Sequence, residues 1–555
     1  MGDRLVGDDF FAVLDAINGV MLSVPVLVCL LLVGVLFTLW SGFIQSRSLT
    51  HGFGLISGRW TSGEGAGVIS HFQALSAALS ATVGLGNIAG VAIAVELGGP
   101  GAVFWMWVVG FFGMAIKATE VLLSMLYRNT DDKDNPHGGT MWVARHGFTE
   151  LSPRLKGLGG FVGGLFCIPL ILFAFTGGNM FQSWSVGDTT REYFGVAPWI
   201  TGAVLAVIVG LVIVGGIKRI GRIAATLVPF MCFIYVGAGV FVLFVNADQL
   251  PGIFRLIFVS AFSPAEAGGA FVGASVGAAF IFGMKRALFS SEAGMGSAPI
   301  AHSAVRTREP VTEGVVGGLE PFIDTLVVCT ITALVILSSG VWNRAPAGQW
   351  DTPPAFTDTG AGWTLDSSTL PAGSRESLAP GSKVFVVAES TGNRQRLFGD
   401  VVDSENGPVI DWGRMEALSQ PGFAEAGLFV DYTASTLTAK AFDSAADGLG
   451  QWMVTLAVWL FAISTAITWS YYGEQGVIYL AGNAAVLPYR LVYCALLFVA
   501  CIGIVDTARE LDSLSTIALG FMVAINLPII VLLGSRAMAA YRDYVERLKT
   551  GNINP

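Results

Sequence analysis

About eleven apolar runs in this chain are each long enough to cross a ~30 Å hydrocarbon core, more than a water-soluble domain can bury. Only 13% of its 555 residues are charged and 53% are hydrophobic, whereas a soluble domain carries about a quarter charged residues. Lipid offers no hydrogen bonds to a backbone, so runs of this length are expected to be helices. The 70 glycines follow no collagen-like period. In a membrane bundle small residues let helices approach closely, and let them break where a site is needed. The expected fold class is an all-α polytopic membrane protein.

One span is expected near 20–40. Core helices follow near 70–95, 101–127, 158–187, 199–217 and 223–246, then near 268–300, 314–340, 449–481, 486–505 and 513–533. The chain thus divides into an extra N-terminal helix (1–45), core helices one to seven (66–340), an insertion (341–445), core helices eight to ten (446–535) and a tail (536–555). With the N-terminus outside, the outer segments hold only Arg4, Arg191, Arg255 and Arg509 apart from the insertion. Basic groups such as Lys218, Arg219, Arg222, Arg542 and Lys549 then lie inside, as cytoplasmic loops require. The C-terminus and tail are expected in the cytoplasm of a bacterial-type inner membrane.

The insertion carries thirteen acidic and seven basic residues and is expected outside. Lys383-Val-Phe-Val-Val and Arg396-Leu-Phe-Gly-Asp-Val-Val read as short strands of a small folded cap, the alternative being a partly disordered loop. All six cysteines lie in apolar runs without a C-x-x-C spacing and read as small buried hydrophobes. The five histidines form no ligand pattern. Asp3, Asp8, Asp9 and Asp15 against a single Arg4 argue against a cleavable leader, which would open basic. Gly63-Glu-Gly-Ala-Gly67 lacks the strand and the Gly-Lys-Ser/Thr of a phosphate loop. A net charge of −9 opposes nucleic-acid binding.

The most informative segment is Ser80-Ala-Thr-Val-Gly-Leu-Gly-Asn87 at mid-depth of the first core helix. Gly84 and Gly86 around Leu85 weaken helix propagation there. A broken helix in a bilayer is tolerated only where its backbone lines a cavity or binds something. Freed N–H groups suit a carboxylate; freed carbonyls and the oxygens of Ser80, Thr82 and Asn87 suit a small cation. The alternative is a glycine-lined packing face. A partner break is expected at Gly283, where carbonyls accept an ammonium and Phe280 or Phe282 limits side-chain size; Gly294 and Gly296 are a competing position.

Thr82-Val-Gly-Leu-Gly-Asn87 is similar to the unwound first helix of the neurotransmitter:sodium symporters. Gly98-Gly-Pro-Gly-Ala-Val-Phe-Trp-Met-Trp107 resembles the signature of the alanine or glycine:cation symporter family. So do Arg286-Ala-Leu-Phe-Ser-Ser-Glu-Ala-Gly-Met-Gly-Ser-Ala-Pro-Ile-Ala-His302, Phe322-Ile-Asp-Thr-Leu-Val-Val-Cys329 and Phe461-Ala-Ile-Ser-Thr-Ala-Ile-Thr468. The resemblance implies a LeuT-type fold of two inverted five-helix repeats plus one N-terminal helix. It also implies import of a small neutral amino acid, alanine or glycine, with sodium as coupling ion and no other cofactor. By the same resemblance, amides around Gly84, Leu85 and Gly86 hold the substrate carboxylate, and Gln182, with Asn179 on its face, contacts the substrate. Thr82 and Asn87 belong to one cation site; Ser80, Val83, Phe461, Ser464 and Thr465 make a second. The chain departs from the family pattern at Leu85, where threonine is usual, at Ser291, where asparagine is usual, and at Trp184 after Gln182.

Three intramembrane charges complete the inventory. Asp324 reads as a cation ligand or a proton carrier, the latter implying proton-coupled transport, the alternative being a hydrogen-bonded structural acid. Lys117 and Glu120, three apart, read as an ion pair on one helical face. Glu292 with Arg286 reads as a gate or as helix packing. A sensor whose insertion binds a ligand is the rival from another class. An enzyme has the least support, since no nucleophile–base arrangement stands out.

Overall fold

The computed structural model describes residues 14 and 16–551, except 61–64, 134, 264–275, 361, 367–368, 372, 375–377, 392, 405–406, 418, 433 and 504–507. Among the described residues, seven helices are long and apolar enough to cross a membrane. An eighth span results if the pair His71–Thr82 and Gly86–Gly98, bent by 55°, counts as one. Two shorter apolar helices, Pro198–Ile213 and Asn483–Val499, lie among them. Outward-facing Phe161, Phe233 and Phe244 are exposed, as lipid-facing side chains must be.

In chain order the longer helices are α1 (Val24–Trp40), α2 (His71–Thr82), α3 (Val91–Gly98), α4 (Gly101–Tyr127), α5 (Thr140–Leu151), α6 (Lys156–Phe175) and α7 (Phe181–Phe194). They continue with α8 (Pro198–Ile213), α9 (Gly216–Val245), α10 (Leu250–Ser260), α11 (Val276–Ser291), α12 (Pro310–Gly317) and α13 (Thr330–Ser339). The last are α14 (Ala434–Asp443), α15 (Leu449–Ala481), α16 (Val486–Val499) and α17 (Ala508–Lys549). Helix α2 starts at a capping box: Ser70 Oγ accepts from Gln73 N, and the Gln73 side chain accepts from Ser70 N.

Three wide π turns interrupt these helices: Gly86–Gly90 between α2 and α3, Thr176–Met180 between α6 and α7, and Phe322–Cys329 before α13. Each π turn offsets the i→i+4 ladder and redirects backbone carbonyls, a feature frequent at functional sites. The first two contribute residues to one cavity, and the third is tied to the first by the Asn87–Asp324 hydrogen bond.

Helix α11 is continuous through Gly283 and ends at Ser291. The break that follows spans residues 292–298 and contains Glu292 (φ 51), Gly294 (φ 88) and Gly296 (φ 78). The sixth core helix therefore breaks at the later glycines. Gly283 is a packing position, because a Cβ there would lie 2.4 Å from the Ala102 carbonyl oxygen of α4. Helix α15 likewise runs unbroken past Ala462.

The insertion forms a five-stranded antiparallel sheet in the order β1-β7-β4-β5-β6. Its strands are β1 (Gly348–Gln349), β4 (Lys383–Ser390), β5 (Asn393–Val402), β6 (Val409–Trp412) and β7 (Gly422–Val430); β2 (Phe356–Asp358) and β3 (Trp363–Leu365) pair separately. Side chains alternate faces along a strand. Val384, Val386, Leu397, Val401 and Leu428 make the domain's own core, while Phe385, Val387 and Phe429 pack on the opposite face. The sheet ends before residue 431. Helix α14, placed in the insertion by its sequence position, is instead part of the bundle: Leu437, Ala439, Ala441 and Phe442 are fully buried, and Thr438 Oγ1 donates to the Ile88 carbonyl at 3.1 Å. That bond satisfies a backbone oxygen within the first π turn.

Candidate functional site

A cavity of about 420 Å³ opens above the break between α2 and α3. Its floor is Thr82, Gly84, Leu85 and Gly86; Phe173, Phe289 and Trp469 wall it, and Thr465 of α15 closes one side. The break is held by Asn87. Its Oδ1 accepts the Gly84 N–H at 2.8 Å, taking the place of a helical carbonyl. Leu85 and Gly86 then stand at the start of the π turn and α3, the electropositive end of a helical segment.

Gln182 reaches the cavity from α7. Its Nε2 donates to the Gly177 carbonyl at 3.0 Å, which orients the amide, and its buried Oε1 has no hydrogen-bond partner among the described residues. A buried unpartnered acceptor is costly unless a ligand donor meets it. An ammonium supplies one.

Two oxygen clusters flank the break. In the first, Ser80 Oγ donates to the Ser464 carbonyl at 2.7 Å, and Thr465 Oγ1 donates to the Ser80 carbonyl at 3.2 Å. Ser464 Oγ lies 2.9 Å from the Phe461 carbonyl and 3.4 Å from that of Ser80. Hydroxyls and carbonyls converging without a basic group are hard neutral ligands suited to a small cation. Val83 is buried beside them at the end of α2. In the second, Asp324 accepts from Asn87 Nδ2 at 2.5 Å, from Thr325 Oγ1 at 3.0 Å and from Ser290 Oγ. Asp324, Asn87 and Ser290 are fully buried. The three groups that donate to it are all neutral.

Several expected positions fall elsewhere. Phe280 packs edge-on against Trp105 and Gly283 faces Ala102, both on α4, while Phe282 lies beside Gly98 of α3, so the three serve contacts of α11 with α4 and α3 and do not line the cavity. Asn179 donates to the Tyr493 carbonyl at 2.7 Å and sits behind the wall. Thr82 lines the floor, but its hydroxyl turns back toward the Ala78 carbonyl at 3.4 Å. Lys117 and Glu120 take separate partners: Lys117 Nζ lies 3.6 Å from Glu320 and donates to the Glu292 carbonyl, while Glu120 accepts from Asn526. Arg286 faces Asp512 at 3.8 Å, and Glu292 accepts from Ser297. Sequence reasoning missed Ser290 and Thr325, which are ordinary polar residues until the fold gathers them around Asp324. It also missed the aromatic wall of Phe173, Phe289 and Trp469, because helix rotation decides which rings turn inward.

The cavity rim is charged and partly built by the insertion. Arg286 and Asp512 meet there with Asp188, Asp431 and Arg396. Burial, and then the Glu96 charge, push the Asp431 carboxyl up to about 6, while Arg396 and Arg344 oppose the rise. A carboxyl raised above its unfolded value destabilises the fold where it is ionised and relaxes as pH falls through about 6. Asp431→Asn is therefore expected to raise the melting temperature by a few degrees at pH 8 and by less at pH 5. Thermal scans of detergent-solubilised protein check this; equal shifts at both pH values would contradict it.

A profile of the sodium:alanine symporter family matches residues 8–364 and 424–555. The sodium/alanine symporter AgcS of Methanococcus maripaludis is 36% identical over 490 residues, covering 88% of each chain. The putative sodium/proton-dependent alanine carrier protein YrbD of Bacillus subtilis is 32% identical over 553 residues, covering 99% of this chain and 94% of that one. Among solved structures, MhsT in complex with L-phenylalanine superposes with a TM-score of 0.50 at 13% identity, covering 86% of this chain and 93% of the other. That likeness concerns the fold alone.

Proposed function

The chain belongs to the sodium:alanine symporter family, and we propose that it imports a small neutral amino acid, alanine or glycine, coupled to sodium by alternating access. The observation that carries this reading is a cavity ending on a main-chain break, with the unpartnered Gln182 Oε1 beside it. In the proposed pose the carboxylate meets the amides of Leu85 and Gly86, and the ammonium meets Gln182. Phe173, Phe289 and Trp469 wall the space that the substrate side chain would enter. A buried pocket rejects bulk by steric exclusion.

Sodium occupies the oxygen cluster of Ser80, Phe461, Ser464 and Thr465, and a second position beside Asp324 and Asn87. Neutral oxygens favour sodium over a proton at the first. The 5+5 inverted repeat supplies the motion, one bundle rocking against the other around the break. The Lys and Arg distribution supports an orientation with the insertion and N-terminus outside and the C-terminus in the cytoplasm. The names of the relatives support alanine as substrate.

The second reading is proton coupling through Asp324, favoured by its burial within the bundle. Reconstituted vesicles separate the two. Radiolabelled alanine and glycine are expected to accumulate under an imposed sodium gradient, with larger amino acids competing poorly. Accumulation that persists without sodium and follows a pH gradient would reject sodium coupling.

A further inference from the structure

The family profile leaves residues 365–423 unmatched, and this stretch holds most of the inserted sheet. One strand of it reaches the cavity. On β5, Arg396 and Phe398 are two apart and so project from one face, the face that also carries Phe385 and Val387 of β4, paired in register with Phe398 and Arg396. Both Arg396 and Phe398 line the cavity, more than 300 residues after the break that forms its floor.

Arg396 is fastened there. Its Nη1 lies 2.9 Å from Glu96 Oε1 on α3, with the two side chains only 4% and 8% exposed. Its Nη2 faces the Glu96 carbonyl at 3.4 Å, near the electronegative end of that helix, and its guanidinium lies 4.5 Å from the Phe385 ring centroid. Arg344 stands 3.8 Å from the same Glu96 carboxylate and lies over the Tyr432 ring. A desolvated charge pair of this kind is costly to break from one side, because the remaining charge stays buried. Phe398, by contrast, is half-exposed and stands at the rim.

We propose that the inserted β-domain is the outer wall of the entry path, in which Arg396 anchors the sheet to α3 and Phe398 narrows the passage, so that the insertion selects by size before a solute reaches the break. This rests on the reading of the cavity as a transport site. The solutes admitted are small zwitterions. The rim charges are largely paired, Arg286 with Asp512, Arg191 with Asp188 and Arg396 with Glu96, which suits solutes without net charge. Because α3 carries Glu96, any movement of the outer half of the broken helix moves the wall with it.

The test reads access directly, without transport. Ser185 lines the cavity one turn above Gln182, and a Ser185→Cys variant places a thiol beneath the proposed narrowing. Its rate of modification by a small methanethiosulfonate and by a bulky maleimide is measured in the purified full chain, with the Ser185 parent as blank. With Phe398 and Arg396 intact, the small reagent is expected to react much faster than the bulky one. Phe398→Ala is expected to raise the bulky rate about tenfold, as a ~1.4 kcal/mol lower access barrier would. The small-reagent rate should stay within about twofold. Arg396→Gln, in which Arg344 still faces Glu96, is expected to act in the same direction and covers the case in which one variant misfolds. A bulky rate unchanged in both variants, or raised equally for both reagents, would overturn the proposal. If labelling responds as described but sodium-driven uptake is absent, the transport reading fails and the wall stands.

Discussion

Asp324→Asn is expected to weaken sodium stimulation of uptake by about a hundredfold in apparent sodium affinity, at the upper end of what loss of a metal-site group causes. The carboxylate accepts hydrogen bonds from Asn87, Ser290 and Thr325 in a fully buried position. Those partners donate to it without neutralising it, and in the proposed site a bound cation would balance the charge. An asparagine keeps the shape, removes the charge and points two donors at groups that already donate. Alanine uptake measured over a range of sodium concentrations reads the effect, and a sodium-induced rise in melting temperature should disappear with it. If the variant keeps the sodium dependence of the parent, Asp324 is a structural acid and the second cation position is wrong. If it loses pH-driven uptake that never needed sodium, the proton reading is the correct one.

The second large effect is expected at Gly84. A Cβ built there would lie 2.9 Å from Thr465 Oγ1, tighter than real contacts allow. That hydroxyl donates to the Ser80 carbonyl in the first oxygen cluster, and a β-branched side chain cannot swing far to make room. Gly84→Ala should therefore disturb the floor and the cation cluster together, lowering uptake by about a hundredfold, the loss that misplacement of about 1 Å at a site can cause. Gly86 is the internal comparison. A Cβ there meets Ser290 Cα at 3.9 Å, an ordinary contact, so Gly86→Ala should fold normally and mainly reduce the space for substrate. Initial uptake rates of alanine and glycine for both variants decide the matter. Equal activity of Gly84→Ala and the parent would remove the geometric argument for the first cluster.

Much of this site was legible from residues alone. Two glycines flanking a leucine at mid-membrane depth, followed by an asparagine able to accept a backbone N–H, specify a break, because no other solvent is present to satisfy the backbone. Asp324 was legible as an acid within an apolar run, whereas Gln182 came from the family resemblance. The second break was not. Gly283 and the pair Gly294 and Gly296 look alike as letters. What separates them is that the first faces the Ala102 carbonyl across a tight helix contact, whereas the others take left-handed φ values. Phe280 and Phe282 were aromatic residues at a suitable depth, yet Phe173, Phe289 and Trp469 line the cavity, since small rotations of packed helices choose the inward side chains.

The sequence by itself determined that the chain lives in lipid, roughly where its helices run, and that the first core helix opens at Leu85. Each of these follows from a local rule: apolar length, charge placement or glycine spacing. Only the tertiary structure decided which oxygens surround Asp324, where the sixth helix parts, that α14 belongs to the bundle, and that Arg396 locks a β-sheet onto Glu96. Those outcomes depend on contacts between segments up to 350 residues apart, which packing selects and no local pattern encodes.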